Sequence, residues 1–113
     1  MHFINWDSEI DASISVCDEK GVIVFLNEKA IIHFEKDGGD KLVGANILDC
    51  HPEPAKSKLK ELLISQKSNI YSIEKNGVKK IIIQKPWYSN GVYKGFVEFV
   101  TEIPKDMPHF VRM

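Results

Sequence analysis

Asp49, Cys50 and His51 put a carboxylate, a thiol and an imidazole at three consecutive positions, just before Pro52. A cysteine beside a histidine invites a nucleophile-and-base reading. Adjacent side chains usually point apart, however, and no third group is identifiable to orient the imidazole, so the pair fails the geometric test for such chemistry. The remaining histidines and Cys17 show no C-x-x-C or H-x-x-x-H spacing, which leaves zinc without a ligand set. Cys17 lies in an apolar run and reads as a small buried residue. His33 falls beside Ala30 in a helical stretch; it either reaches an internal wall or stays partly exposed, and helical spacing alone does not choose. Asp49 and Glu98 are the carboxylates an enzyme could use as a base, given a raised pKa. Alternation with Val97 and Phe99 assigns Glu98 to solvent instead, and no catalytic turnover is expected.

The elements that would position these groups are five short strand-like runs, split two and three around a helical middle. The first pair is Ala12 to Asp18 and Val22 to Asn27, joined at Asp18-Glu19-Lys20-Gly21. The last three are Asn69 to Lys75, Val78 to Trp87 and Val92 to Ile103, joined by Asn76-Gly77 and Asn90-Gly91. Asn-Gly between alternating apolar runs is a strong hairpin signal, because both central residues of a type I′ turn need positive φ. The last third is therefore expected to be a three-stranded antiparallel meander. In the middle, Asn27 stands where it can cap a helix over Glu28 to Phe34, with Ala30, Ile31 and Phe34 on one face. Gly38-Gly39 ends that helix, and Leu42, Val43, Ile47 and Leu48 of the connector can point inward. A second helix is expected from near Pro54 to about Ser65, its apolar stripe being Ala55, Leu59, Leu62 and Leu63.

Val22 to Leu26 is apolar at every position, so both faces of that strand are expected to be covered. Helices would cover one face. Phe3, Ile4, Trp6 and Ile10 of the N-terminal segment, or a second copy of the chain, would cover the other. Trp87, Tyr88 and Tyr93 flank the second Asn-Gly turn and either close that end of the core or form a docking patch. Pro86 suggests that its strand bends or runs along an edge there.

The bulk properties narrow the class. With 113 residues the chain fits one domain, residues 1–113, large enough to bury roughly two-thirds of its unfolded surface. Its core is expected over residues 10–103, with 1–9 as an N-terminal cap and 104–113 as a tail. Fifteen Lys and Arg against 16 Asp and Glu give a net charge of −1, which argues against a nucleic-acid surface. Lys79-Lys80 and Lys56, Lys58 and Lys60 read as solvated faces. Two cysteines make no disulfide framework, and no apolar run is long enough to span a bilayer. A cytoplasmic location with both thiols free is expected.

Asp18 to Ala30, then Leu42-Val43-Gly44-Ala45-Asn46-Ile47-Leu48-Asp49-Cys50-His51-Pro52, resembles the start of a PAS domain. Gly91 to Ile103 resembles that family's last strand, so the likeness covers about Ile10 to Ile103. It implies an α+β fold: a five-stranded antiparallel sheet in the order 2-1-5-4-3, cupping a small-molecule pocket against short helices on one face. Family members bind haem, flavin, small acids or nothing known, and signal through dimers. The Cys50-His51-Pro52 triplet resembles a subset of bacterial PAS domains, some suspected of holding haem. In that light His51 either ligates haem iron or, with Asp49, caps the junction with the next helix.

The resemblance thus implies a sensory or regulatory domain that binds a small apolar or planar ligand, haem being one candidate, and signals through protein contacts as a homodimer or to a partner in trans. The expected pocket residues are Phe25, Leu26, Phe34, Leu48, His51, Leu59, Ile81 and Ile83, with His51 as the directional contact, or as metal ligand if haem binds. Neither a nucleic acid nor a membrane is an expected partner. A chain that stops ten residues after Ile103, with two prolines in that tail, points to a stand-alone module and away from a signalling helix. Two alternatives remain: an interaction module whose core is filled by Phe25, Phe34, Ile47 and Leu48, and a small cone-shaped α+β enzyme.

Overall fold

The computed structural model describes residues 4–113. Its elements are β1 (Ser13–Asp18), β2 (Ile23–Leu26), α1 (Glu28–His33), two 3₁₀ turns (Glu35–Asp37 and Gly39–Leu42), α2 (Ala55–Ser65), β3 (Asn69–Lys75), β4 (Val78–Ser89) and β5 (Val92–Ile103). All strand neighbours are antiparallel, and the order is β2-β1-β5-β4-β3, as the α+β expectation required.

Both Asn-Gly dipeptides form the expected turns. Asn76 and Gly77 have φ of 54° and 78°, and Asn90 and Gly91 have 52° and 77°. The first turn sets the whole β3–β4 register, from Lys75 opposite Val78 to Asn69 opposite Gln84. The second does not. Tyr88 faces Tyr93 but Trp87 faces Gly95, so Lys94 is an extra residue and every later pair moves by one. Gly95 permits this bulge: its φ is 139°, and a Cβ there would lie 2.0 Å from the Cys17 carbonyl oxygen.

Asn27 holds the first half together. Its Oδ1 accepts from the amides of Ile14 and Ala30, each at 3.0 Å, and its Nδ2 donates to the carbonyls of Asp7 and Ala12, each at 2.9 Å. One side chain thus caps α1, ties it to β1 and pins the N-terminal segment. Ala30 packs with Ile23 and Leu26, and Ile31, Phe34, Leu42 and Ile47 close over them. A second group joins Cys17 and Phe96 on the sheet to Leu62 and Leu63 of α2.

Three expectations change here. β2 is not covered throughout: it bulges against β1 between Val16 and Cys17, and Val24 is half-exposed. Ile4, Trp6 and Ile10 are exposed, so the N-terminal segment contributes its backbone to Asn27 while those side chains face solvent; Phe3 lies outside the described residues. Nor do Asp49 and His51 cap α2. Glu53 does so, accepting from the Ser57 amide at 2.8 Å and its hydroxyl at 2.6 Å. Those two bonds hold the Glu53 carboxyl below the usual carboxylate range.

The aromatic end behaves as core closure. The Tyr93 hydroxyl donates to the Leu63 carbonyl at 3.0 Å, its ring meets Phe96 edge-on, and Trp87 Nε1 donates to the Cys17 carbonyl at 3.2 Å; Tyr88 is the exposed member. Pro86 lies past the end of β3 pairing, where β4 has a free edge and the missing N–H costs nothing. Both cysteines are free. Among the described residues no helix is long and apolar enough to cross a membrane.

Candidate ligand site

Between the concave face of the sheet and the helical middle lies a cavity of about 460 Å³, within the range of small-molecule sites. Its roof is built by α1, the connector and α2, through Phe34, Leu42, Ile47, Leu59, Leu62 and Leu63. Its floor is sheet, and the floor is not uniformly apolar.

Cross-strand rows define the floor. Tyr71, Ile82, Val100 and Ser13 stand opposite one another in one row. The next contains Asn69, Gln84, Glu98 and Ser15, and all four line the cavity. Three of them are joined: Asn69 Nδ2 donates to Gln84 Oε1 at 2.8 Å, and Gln84 Nε2 donates to Glu98 Oε2 at 2.7 Å. Gln84 is buried, while Asn69 and Glu98 are partly so. A carboxylate offers acceptors alone, which fixes the order of the chain. Gln84 must turn its amide nitrogen to Glu98 and its oxygen to Asn69, and Asn69 must then donate. What is left over at the two ends is a Glu98 oxygen and the Asn69 Oδ1.

The expected site residues divide. Leu26, Phe34, His51 and Leu59 line the cavity; Phe25, Leu48, Ile81 and Ile83 do not. Side chains alternate along a strand, so Ile82 and Gln84 take the concave face and Ile81 and Ile83 the convex one. Phe25 pairs with Val16 on that convex side, and Leu48 packs against the Cys17–Leu62–Leu63–Phe96 group instead. Glu98 also departs from its expectation, pointing into the cavity and not to solvent. Its neighbours at even spacing, Phe96 and Val100, are the buried ones, whereas Val97 and Phe99 stand on the other face.

At the mouth are His33, Cys50, His51 and Lys58, all exposed. His51 Nδ1 lies 2.7 Å from the Ile47 carbonyl. A carbonyl only accepts, so Nδ1 carries the proton and the Nε2 lone pair is free. His33 meets Phe34 edge-on with ring centroids 4.7 Å apart. Asp49 is exposed and takes no part in the cavity wall. Among the described residues no three His, Cys, Asp or Glu side chains are grouped to hold a metal ion.

Solved structures of low sequence identity share this fold. The PAS domain of Bordetella pertussis BvgS matches with a TM-score of 0.64 at 15% identity, covering 88% of this chain and 82% of that one. A sensory box sensor histidine kinase from Vibrio cholerae gives 0.60 at 23% identity, covering 88% and 86%. The chain has the PAS fold. The Aer2 receptor of Vibrio cholerae, a dual PAS-haem oxygen sensor, shares that fold with a TM-score of 0.57 at 20% identity, over 82% of this chain and 95% of that one. No family model and no curated protein sequence matches the chain.

Within the PAS cup, burial marks two groups on the floor side. It pushes the Cys17 thiol up, helped by the Asp18 and Glu98 charges, though a backbone hydrogen bond at Phe96 opposes it. It also pushes Tyr71 up, again with Glu98 adding to the effect. Both keep their protons at neutral pH, so neither supplies a nucleophile there. Sequence reasoning missed Asn69, Gln84 and Ser15 as site residues. The signal for the first two was present, since counting back from Asn76-Gly77 puts Asn69 opposite Gln84.

Proposed function

We propose that this PAS domain is a cytoplasmic, non-catalytic sensory module that takes a small, mostly apolar ligand between its sheet and its helices and passes the occupied state on through protein contacts. The observation that carries the reading is the cavity itself: an apolar roof over a floor with one ordered polar row. A filled-core interaction module would close that volume with Phe25, Phe34, Ile47 and Leu48; Phe34 and Ile47 line it with the space still open, and Phe25 and Leu48 stand outside it.

The route onward is the convex face. Ile14, Phe99, Ile83 and Ile70 form an apolar cross-strand row there, and Ile70 is half-exposed. A second copy of the chain or a partner protein would bury it. Floor and convex face belong to the same strands, so a ligand that shifts β4 against β5 alters both.

Haem is the second reading, and His51 is its support. Nδ1–H held by the Ile47 carbonyl would leave Nε2 as the nitrogen that could hold an iron. Haem, when bound, supplies an iron able to take a small diatomic ligand. His51 would hold the iron, and Phe34, Leu59 and Leu62 would flank the ring.

A native mass spectrum of undenatured protein, followed by hemin titration of the wild type and His51→Ala, tests these points together. Extra mass or a doubled mass supports ligand binding or the dimer respectively. A Soret band that collapses in His51→Ala supports haem; a band of equal strength in both removes His51. Bare monomer that ignores hemin and every probe of the cavity overturns the ligand reading.

A further inference from the structure

The order of donors and acceptors in the floor row specifies the ligand more closely than the cavity's size does. From it we infer that the cavity selects a ligand with an apolar body and a protonated nitrogen, an amine or amidine, and rejects the isosteric carboxylic acid. The inference rests on the ligand reading above and narrows it.

Glu98 is set in the cavity wall, and Gln84 Nε2 is its one side-chain donor among the described residues. No Lys, Arg or His lies within ion-pair reach of it among those residues; the ion pair found there, Lys29 with Asp11, is elsewhere. A partly buried carboxylate whose one side-chain donor is neutral has a free oxygen to which a cation with N–H groups adds a charge-assisted hydrogen bond. At the other end of the row, Asn69 has spent its amide on Gln84 and keeps Oδ1 as an acceptor. Two acceptors thus face a ligand across the floor, with the Gln84 donor already committed between them and the Ser15 hydroxyl, opposite Glu98, able to donate or accept.

An acid would meet the opposite arrangement. Its carboxylate would be placed against the Glu98 oxygen, where like charges repel. Lys58, His33 and His51 could attract an anion, but all three are exposed at the mouth, where water screens them, and Asp37 stands with them on the wall. The deep end sets the preference, with the ammonium inward and the apolar body under Phe34, Leu59 and Leu62.

Three matched probes decide the matter by calorimetry or thermal shift on the full chain: 2-ethylnaphthalene, 2-naphthylmethylamine and 2-naphthoate. The hydrocarbon reports whether the cavity admits an apolar body at all. The amine is expected to bind about tenfold or more tighter than the hydrocarbon, the gain from one charged hydrogen bond. The acid is expected to bind more weakly than the hydrocarbon. Glu98→Gln should reverse the order of amine and acid, because an amide can turn its N–H outward. Hydrocarbon binding with no gain for the amine, or an amine-to-acid ratio unchanged in Glu98→Gln, overturns this inference and leaves the ligand reading standing. Failure of all three probes to bind overturns the ligand reading itself.

Discussion

Two buried amide side chains, Asn27 and Gln84, stand on either side of the same sheet's centre and are satisfied in different ways. Asn27 is 2% exposed, and its four hydrogen bonds all go to backbone: two amides donate to it and two carbonyls accept from it. Gln84 is 7% exposed and bonds only to other side chains, Asn69 and Glu98, which still carry unused acceptors. The first arrangement is closed, and its hydrogen bonds define where β1, α1 and the N-terminal segment lie. The second is open at both ends onto a cavity. A buried polar group whose partners are all backbone reads as architecture, while one whose partners are side chains with spare capacity reads as a place for something else to bind.

The comparison breaks most visibly at Asn27. Asn27→Ala leaves the buried Ile14 amide and the first-turn Ala30 amide without an acceptor, and two carbonyls without a donor. Loss of a helix cap costs about 1 kcal/mol, and an orphaned buried amide about 1–3 kcal/mol more. A loss of about 3 kcal/mol in urea unfolding is expected, with an unchanged m-value. A loss under about 1 kcal/mol would mean that water replaces the side chain and that Asn27 is not the organiser its bonds describe.

A smaller effect comes from pH, and it sharpens the contrast between groups that burial protects and groups left open. Burial raises Cys17 from its ordinary 9.0, and Tyr71 and Tyr93 from 10.0. Well below pH 9 these groups are protonated in both folded and unfolded chains and make no difference. Above it the unfolded chain ionises first, binds fewer protons than the folded one, and gains, so stability falls as pH rises. The slope is bounded by about 1.4 kcal/mol per pH unit for each group, and is well below that for Tyr71, which is exposed, and for Tyr93, which is only partly buried. Unfolding free energies measured from pH 8 to 11 should fall, and fall less steeply in Cys17→Ala. An identical slope in that variant would assign the loss to the tyrosines.

The sequence carried the fold further than it carried the site, and particular residues show why. Two Asn-Gly dipeptides, an Asn before a helical run and a Pro at the start of another fixed the element order and the helix starts, because each imposes a local backbone geometry. The PAS resemblance supplied the strand order that local geometry cannot. Phe25, Ile81 and Ile83 were misplaced for one reason: a sheet with apolar residues on both faces hides its own alternation. Leu48 lies in the connector, outside any helix or strand, where no period assigns a side chain to one wall. Glu98 depended on a single extra residue. Counting back from Asn90-Gly91 without a bulge sets Gln84 opposite Val97, and Glu98 then shares the convex face with Ile83. The bulge at Lys94 and Gly95 moves Glu98 beside Gln84, and a glycine inside the strand was its only mark.

The gentlest change tests the open side of the comparison most directly. Glu98→Leu removes the charge, leaves Gln84 Nε2 facing the cavity, where solvent can reach it, and adds apolar surface to the floor. Replacing a partly buried charge that has no ion-pair partner by an apolar group of similar size costs little, so unfolding in urea should change by no more than about 1 kcal/mol in either direction. Over the same substitution the preference for an amine over its hydrocarbon isostere should vanish. That pairing, structure kept and selectivity lost, is what a binding position shows and an architectural one does not, because natural sites hold under-satisfied groups at some expense to stability. A loss near that expected for Asn27→Ala would place Glu98 with Asn27 instead, as a strut between β4 and β5, and the distinction between closed and open polar clusters in this sheet would fall with it.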